Sequence, residues 1–186
     1  MKRYTEKKAA AVFESVLSLV RKERGRRDVF SNAWKDGDGA GIVCDGYRLV
    51  KISAGIPAGV SCIIHSVPPT TSEELQRKAM RARIVDITLD AARRENYTSA
   101  EAITADYIKE HARPLSPCGR SAYVKYPGTE TCYNARYLLQ LVNLFPDACC
   151  FICKDKGRRS PLVIRSAHGA AYLMPYYVLE TGVSGK

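Results

Sequence analysis

The chain has 186 residues, 46% hydrophobic and 26% charged, with 29 Lys plus Arg against 19 Asp plus Glu for a net charge of +10. A chain of this length buries roughly 70% of its unfolded surface, enough for one substantial core or two small ones. No run approaches the roughly 20 apolar residues of a membrane span, so a transmembrane helix is excluded and no membrane partner is expected. The positive excess favours a polyanion, nucleic acid above all; the competing reading is a generally basic, solvated surface.

Ala9, Val12, Phe13, Val16, Leu17 and Val20 recur at three- and four-residue spacing, which predicts an amphipathic helix over residues 6–24. It runs into Arg21-Lys22-Glu23-Arg24-Gly25-Arg26-Arg27, where Gly25 supplies a C-terminal stop. Strand-like runs follow at residues 29–34, 41–44, 47–53 and 60–65. The first two are parted by Asp36-Gly37-Asp38-Gly39 and the next two by Asp45-Gly46, both hairpin-turn signals. The first third therefore reads as one helix followed by an antiparallel meander.

Pro68-Pro69 ends that unit. Thr71 with Glu74, and Thr98 with Glu101, have capping-box spacing and predict two helix starts. The first of these helices carries Arg77, Lys78, Arg81, Arg83, Arg93 and Arg94 around its circumference, and Pro114 and Pro117 close the second. A strand at 121–126 then leads through Pro127-Gly128 to a helix at 133–146 with Leu138, Leu141, Val142 and Phe145 on one face. Three more strand-like runs, at 148–154, 161–166 and 170–179, are parted by Asp155-Lys156-Gly157 and His168-Gly169. Helix then three strands, twice, is a duplication of shape. The expected organisation is one α+β domain over residues 1–186: a first half at 1–69, a helical insertion at 70–117 and a second half at 118–186.

Seven cysteines, an odd number without disulfide-like spacing, fit a reducing cytosolic location. Cys150-x-x-Cys153 has neither a second pair nor a paired histidine, and it lies in the apolar run Ala148-Cys149-Cys150-Phe151-Ile152-Cys153. There cysteine reads as a small buried hydrophobe, and no metal or cofactor is expected. His65, His111 and His168 sit in no nucleophile motif, and neither a phosphate-binding loop nor a dinucleotide fingerprint is present. Asp36 and Asp38 read as turn residues, and the chain is not expected to be an enzyme.

Three short patterns point further. Cys44-Asp45-Gly46-Tyr47-Arg48-Leu49 joins two predicted strands, Tyr133-Asn134-Ala135-Arg136-Tyr137-Leu138 opens the second-half helix, and Tyr172-Leu173-Met174-Pro175-Tyr176 lies in the last strand. In that order and context they resemble the bacterial DNA sliding clamp family, the beta subunit of DNA polymerase III. Its patterns run Thr-Asp-Gly-His-Arg-Leu, Phe-Asn-x-x-Tyr-Leu and Val-Met-Pro-Met. The resemblance spans two blocks, residues 9–66 and 120–179, and implies a single DNA-clamp-like domain. It also implies a role in DNA replication or maintenance, in a mobile element or phage, as a processivity-factor-like protein.

By the same resemblance, Cys44, Tyr47, Arg48 and Leu49 would form one wall of an apolar pocket, and Tyr172, Met174, Pro175 and Tyr176 the other. Such a pocket takes short peptides with large apolar anchors from polymerases and other clamp-binding proteins. Clamp helices face the duplex backbone, so Arg21, Lys22, Arg24, Arg26, Arg27 and Arg136 would contact DNA without reading sequence. The cluster at 21–27 equally suits a solvated helix end, where cations favour the macrodipole. A family subunit has three clamp domains and pairs into a ring of six; this chain has room for one. Two arrangements follow: head-to-tail self-assembly into a ring, or a monomeric adaptor that keeps the fold without encircling DNA.

Overall fold

The computed structural model describes residues 4–22, 33–35, 38–45, 47–60, 62–66, 97–115, 121–153 and 161–176. The protein is mixed α+β, and its elements follow from short-range chemistry. Helix α1 (Glu6–Lys22) starts at Thr5, whose hydroxyl accepts the Lys8 amide at 3.3 Å, and buries Ala9, Val12, Phe13, Val16 and Leu17. Strands β1 (Ala33–Lys35), β2 (Gly41–Cys44) and β3 (Arg48–Ile52) form the antiparallel meander expected of the first half. Strand β4 (Cys62–Ser66) departs from that order: it lies outside β1 and runs parallel to it.

Residues 70–96, with the Thr71–Glu74 helix start and its basic residues, lie outside the described residues. The second capping box is a correction. Thr98 and Glu101 do not open a helix, because Tyr97–Ala100 is strand β5, paired antiparallel along the outer edge of the sheet. The Thr98 hydroxyl donates to the Ile152 carbonyl at 3.4 Å instead. The cap that forms is six residues on: Thr104 accepts the Tyr107 amide at 3.1 Å and starts helix α2 (Ala105–His111). Thr104→Ala is expected to cost about 1 kcal/mol in urea denaturation and Thr98→Ala clearly less; equal costs would contradict this assignment.

A small antiparallel sheet follows, made of β6 (Arg113–Pro114), β7 (Ala122–Lys125) and β8 (Cys132–Asn134). Asn134 closes β8 and caps helix α3 (Ala135–Leu144), its carboxamide oxygen accepting the Tyr137 amide at 3.1 Å. This accounts for the Tyr-Asn-x-x-Tyr-Leu pattern: Tyr133 and Leu138 are buried, and Asn134 satisfies an orphan donor of the first turn. Strands β9 (Cys149–Cys153), β10 (Leu162–Ser166) and β11 (Gly169–Leu173) form the second meander.

The two meanders, with β4 and β5 at the outer edges, make one eight-stranded sheet, in the order β4-β1-β2-β3-β11-β10-β9-β5. The seam is the antiparallel pair β3–β11, with Val50 opposite Ala171 at its middle. The halves match at their hairpins too. Asp45 pairs with Arg48 around a two-residue loop, and Ser166 pairs with Gly169 around another. In each a side-chain oxygen of the first residue accepts the amide two residues on, Asp45 from Tyr47 at 2.9 Å and Ser166 from His168 at 3.2 Å.

Strand alternation divides the sheet's faces. Val43, Val50, Ala171, Ile164 and Cys150 form a cross-strand row in the main core with α1 and α3. On the opposite face Cys44, Leu49, Tyr172, Val163 and Phe151 form the next row. No helix among the described residues is long and apolar enough to cross a membrane.

Candidate functional site

The residues of interest gather at the seam, where the first hairpin and the last strand meet although more than 120 positions part them. Leu49 is the cross-strand partner of both Cys44 and Tyr172. The Met174 amide donates to the Tyr47 carbonyl at 2.8 Å, carrying the pairing past the end of β11. The Tyr176 amide then donates to the Cys132 carbonyl at 2.7 Å, so this segment crosses from the large sheet to the small one.

Exposure sorts these residues. Tyr47 and Met174 are 45% and 41% exposed, two large apolar side chains at adjoining positions. Tyr172, Pro175 and Tyr176 are half-buried; Cys44 and Leu49 are buried beneath them in the sheet. Both expected walls are thus brought together by one seam within one domain, with Tyr47 and Met174 at the accessible end.

Arg48 does not belong to that surface, and its place there is corrected. It is only 2% exposed and points to the helix side of the sheet. Its Nε donates to Asp45 Oδ2 at 2.8 Å, one Nη to Ser15 Oγ at 3.2 Å and the other to Gln140 Oε1. Gln140 Nε2 donates to the same Ser15 hydroxyl at 3.1 Å, and the guanidinium lies 4.1 Å from the centre of the Tyr137 ring. Asp45, 1% exposed, also accepts the Tyr47 and Arg48 amides at 2.9 and 2.8 Å through Oδ1. The Asp-Gly-x-Arg pattern is therefore a structural clamp: it shapes the hairpin tip and ties it to α1 and α3. Burial, then the neighbouring Asp45 carboxylate, raises the Tyr137 phenol above its ordinary value.

The expected DNA contacts are not shown to converge. Arg21 and Lys22 end α1, Arg136 is exposed in the first turn of α3, and Arg24, Arg26 and Arg27 lie outside the described residues. Arg136 is the only charged residue of α3, so this helix presents no cation stripe.

Among the described residues the cysteines give no ligand set. Cys150 is buried in β9 and hydrogen-bonded to Tyr126, and burial pushes its thiol up from the ordinary value. Among the described residues no group of three or more His, Cys, Asp or Glu could hold a metal ion. Comparison with protein-family models, curated proteins and solved structures finds no match for the chain.

Proposed function

We propose that this chain is a clamp-like interaction module of DNA replication or maintenance that captures a short partner peptide at the open end of the β3–β11 seam. One observation carries the reading: the hairpin-tip and terminal-strand patterns, remote in sequence, adjoin and leave Tyr47 and Met174 exposed side by side. An apolar aromatic beside an adaptable thioether suits a peptide with large apolar anchors, and Tyr172, Pro175 and Tyr176 extend the surface. The repeated helix-plus-three-strand unit and the Met-Pro strand support a clamp-like origin for this arrangement. The module acts by binding and carries out no reaction.

The test is fluorescence anisotropy with a labelled clamp-binding peptide from a polymerase tail. Burial of one large apolar side chain is worth about 1.5–3 kcal/mol, so Met174→Ala and Tyr47→Ala should each weaken binding about 10- to 100-fold. Far-UV circular dichroism should stay unchanged. Equal affinity for wild type and both variants would refute the assignment.

A second reading, head-to-tail self-association into a ring around duplex DNA, is favoured by the net charge of +10 and by the exposed Arg136 on α3. Light scattering after size exclusion separates the two. A closed oligomer of defined mass supports the ring, and a monomer across concentrations supports the adaptor.

A further inference from the structure

We infer that the outer face of the small sheet, which Tyr176 joins to the peptide seam through its pairing with Cys132, is a platform for single-stranded nucleic acid. The sheet packs one face inward, where Val124 and Tyr133 are cross-strand partners and both fully buried. Alternation therefore turns Tyr123 and Lys125 outward. Tyr123 is the middle of a cross-strand row, with Arg113 on one side and Asn134 on the other. The Cβ atoms of directly opposed residues in such a row lie about 5 Å apart, so Arg113 and Tyr123 start side by side on this face.

The chemistry of the row favours an unpaired strand. Tyr123 is half-buried, so its ring is held while part of it faces solvent. A base in a duplex is already stacked on both sides, whereas a single-stranded base is free to stack on such a ring, worth about 1–3 kcal/mol. Arg113 is exposed and makes no ion pair among the described residues. Lys125 pairs with Glu130 at 2.6 Å, but both side chains are more than half exposed. Such a surface pair is worth about 0–1 kcal/mol and yields readily to a phosphate.

Charge complementarity points the same way. The sequence over residues 112–136 holds four cations (Arg113, Arg120, Lys125, Arg136) against one acid, Glu130. Arg136 stands in the first turn of α3, the end of a helix where the macrodipole disfavours a cation. Asn134, the remaining polar member of the row, has its carboxamide oxygen committed to capping α3. The row thus supplies a stacking ring and phosphate-neutralising cations for a single strand.

Anisotropy titration of the full chain with fluorescein-labelled oligothymidylate of about 15 nucleotides, within the span of single-strand binding sites, tests this. Tyr123→Ala should weaken binding about 5- to 100-fold, and Tyr123→Phe, which keeps the ring, should bind within about 2-fold of wild type. Arg113→Gln lies on an exposed edge and leaves the fold intact. It should flatten the slope of log K against log salt by about 0.7, the loss of one phosphate contact to a single strand. Unchanged affinity in Tyr123→Ala, an unchanged salt slope in Arg113→Gln, or equal competition by duplex would each overturn the platform.

Discussion

Arg48→Ala is expected to destabilise the protein by about 3–5 kcal/mol, because removing one partner of a buried ion pair strands the other in the interior. The stranded group is Asp45, whose carboxylate would keep the Tyr47 and Arg48 amides as donors but lose its counter-ion. The side chain lost also bridges three elements: the hairpin through Asp45, α1 through Ser15 and α3 through Gln140 and Tyr137. Asp45→Asn separates charge from shape. Its remaining carbonyl oxygen can still accept both amides, but the new amide group faces Arg48 Nε donor to donor. Arginine cannot discard its proton, so its charge stays buried without a counter-ion. This variant should therefore fall at the severe end of the same range.

The double variant Asp45→Asn with Arg48→Met should recover much of the loss, since an apolar side chain of similar length removes the buried charge. Thermal denaturation is a sufficient readout: at about 2–4 °C per kcal/mol for a chain of this size, Arg48→Ala should lower Tm by about 6–20 °C. A fall of only a degree or two would show that the network does not hold the halves together. The variants also bear on peptide capture. Tyr47 lies at the hairpin tip that Asp45 shapes, so Arg48→Ala should impair binding by displacing Tyr47 rather than by removing a contact.

The period of the hydrophobic pattern was sufficient for the large elements. Helices α1 and α3 and the strands of both meanders were legible, because apolar residues at three- and four-residue spacing, and short runs between Gly-rich turns, can fold in few ways. Turn chemistry was legible for the same reason at Asp45, whose carboxylate has two amides within reach in the next three residues. The seam was harder. Nothing local in Arg48–Ile52 or Gly169–Leu173 announces that β3 pairs with β11, and only the remote resemblance brought their residues together.

Two misreadings have specific causes. Arg48 was placed in a pocket wall by the resemblance of its motif. Yet residue 48 shares its sheet face with Val50 and Ile52, both buried, and is drawn to the helix side with them. Thr98 and Glu101 have the spacing of a capping box, but Tyr97–Ala100 lies beside β9, whose free edge supplies a full ladder of backbone partners. Tertiary pairing there outweighed a local cap of about 1 kcal/mol. The row of Arg113, Tyr123 and Asn134 has no linear signature, since its members come from three strands.

Gly169→Ala should be among the most damaging single-methyl changes in the described part of the chain. Gly169 begins β11 with φ of 153°, a conformation that side chains rarely adopt, and faces Ile52 across the seam. A Cβ built there would lie 2.1 Å from the Lys51 carbonyl oxygen and 3.1 Å from the Ile52 Cα. Both obstacles are backbone of β3, so no side-chain rotation relieves them. Backbone strain of about 1–3 kcal/mol adds to an overpacking penalty of similar size. The sum approaches the whole stability of a modest domain, about 5–15 kcal/mol.

Gly128→Ala provides the control: its φ of 69° is also left-handed, but nothing lies within 4 Å of the added carbon. It should cost only the conformational term, about 1–2 kcal/mol. Urea midpoints for the two variants therefore distinguish a tightly closed seam from a loose one. A midpoint for Gly169→Ala well below that of Gly128→Ala, or failure of the former to fold, is the expected result. Equal midpoints would mean that β3 and β11 part easily. The surface at Tyr47 and Met174, which depends on their pairing, would then have no rigid support.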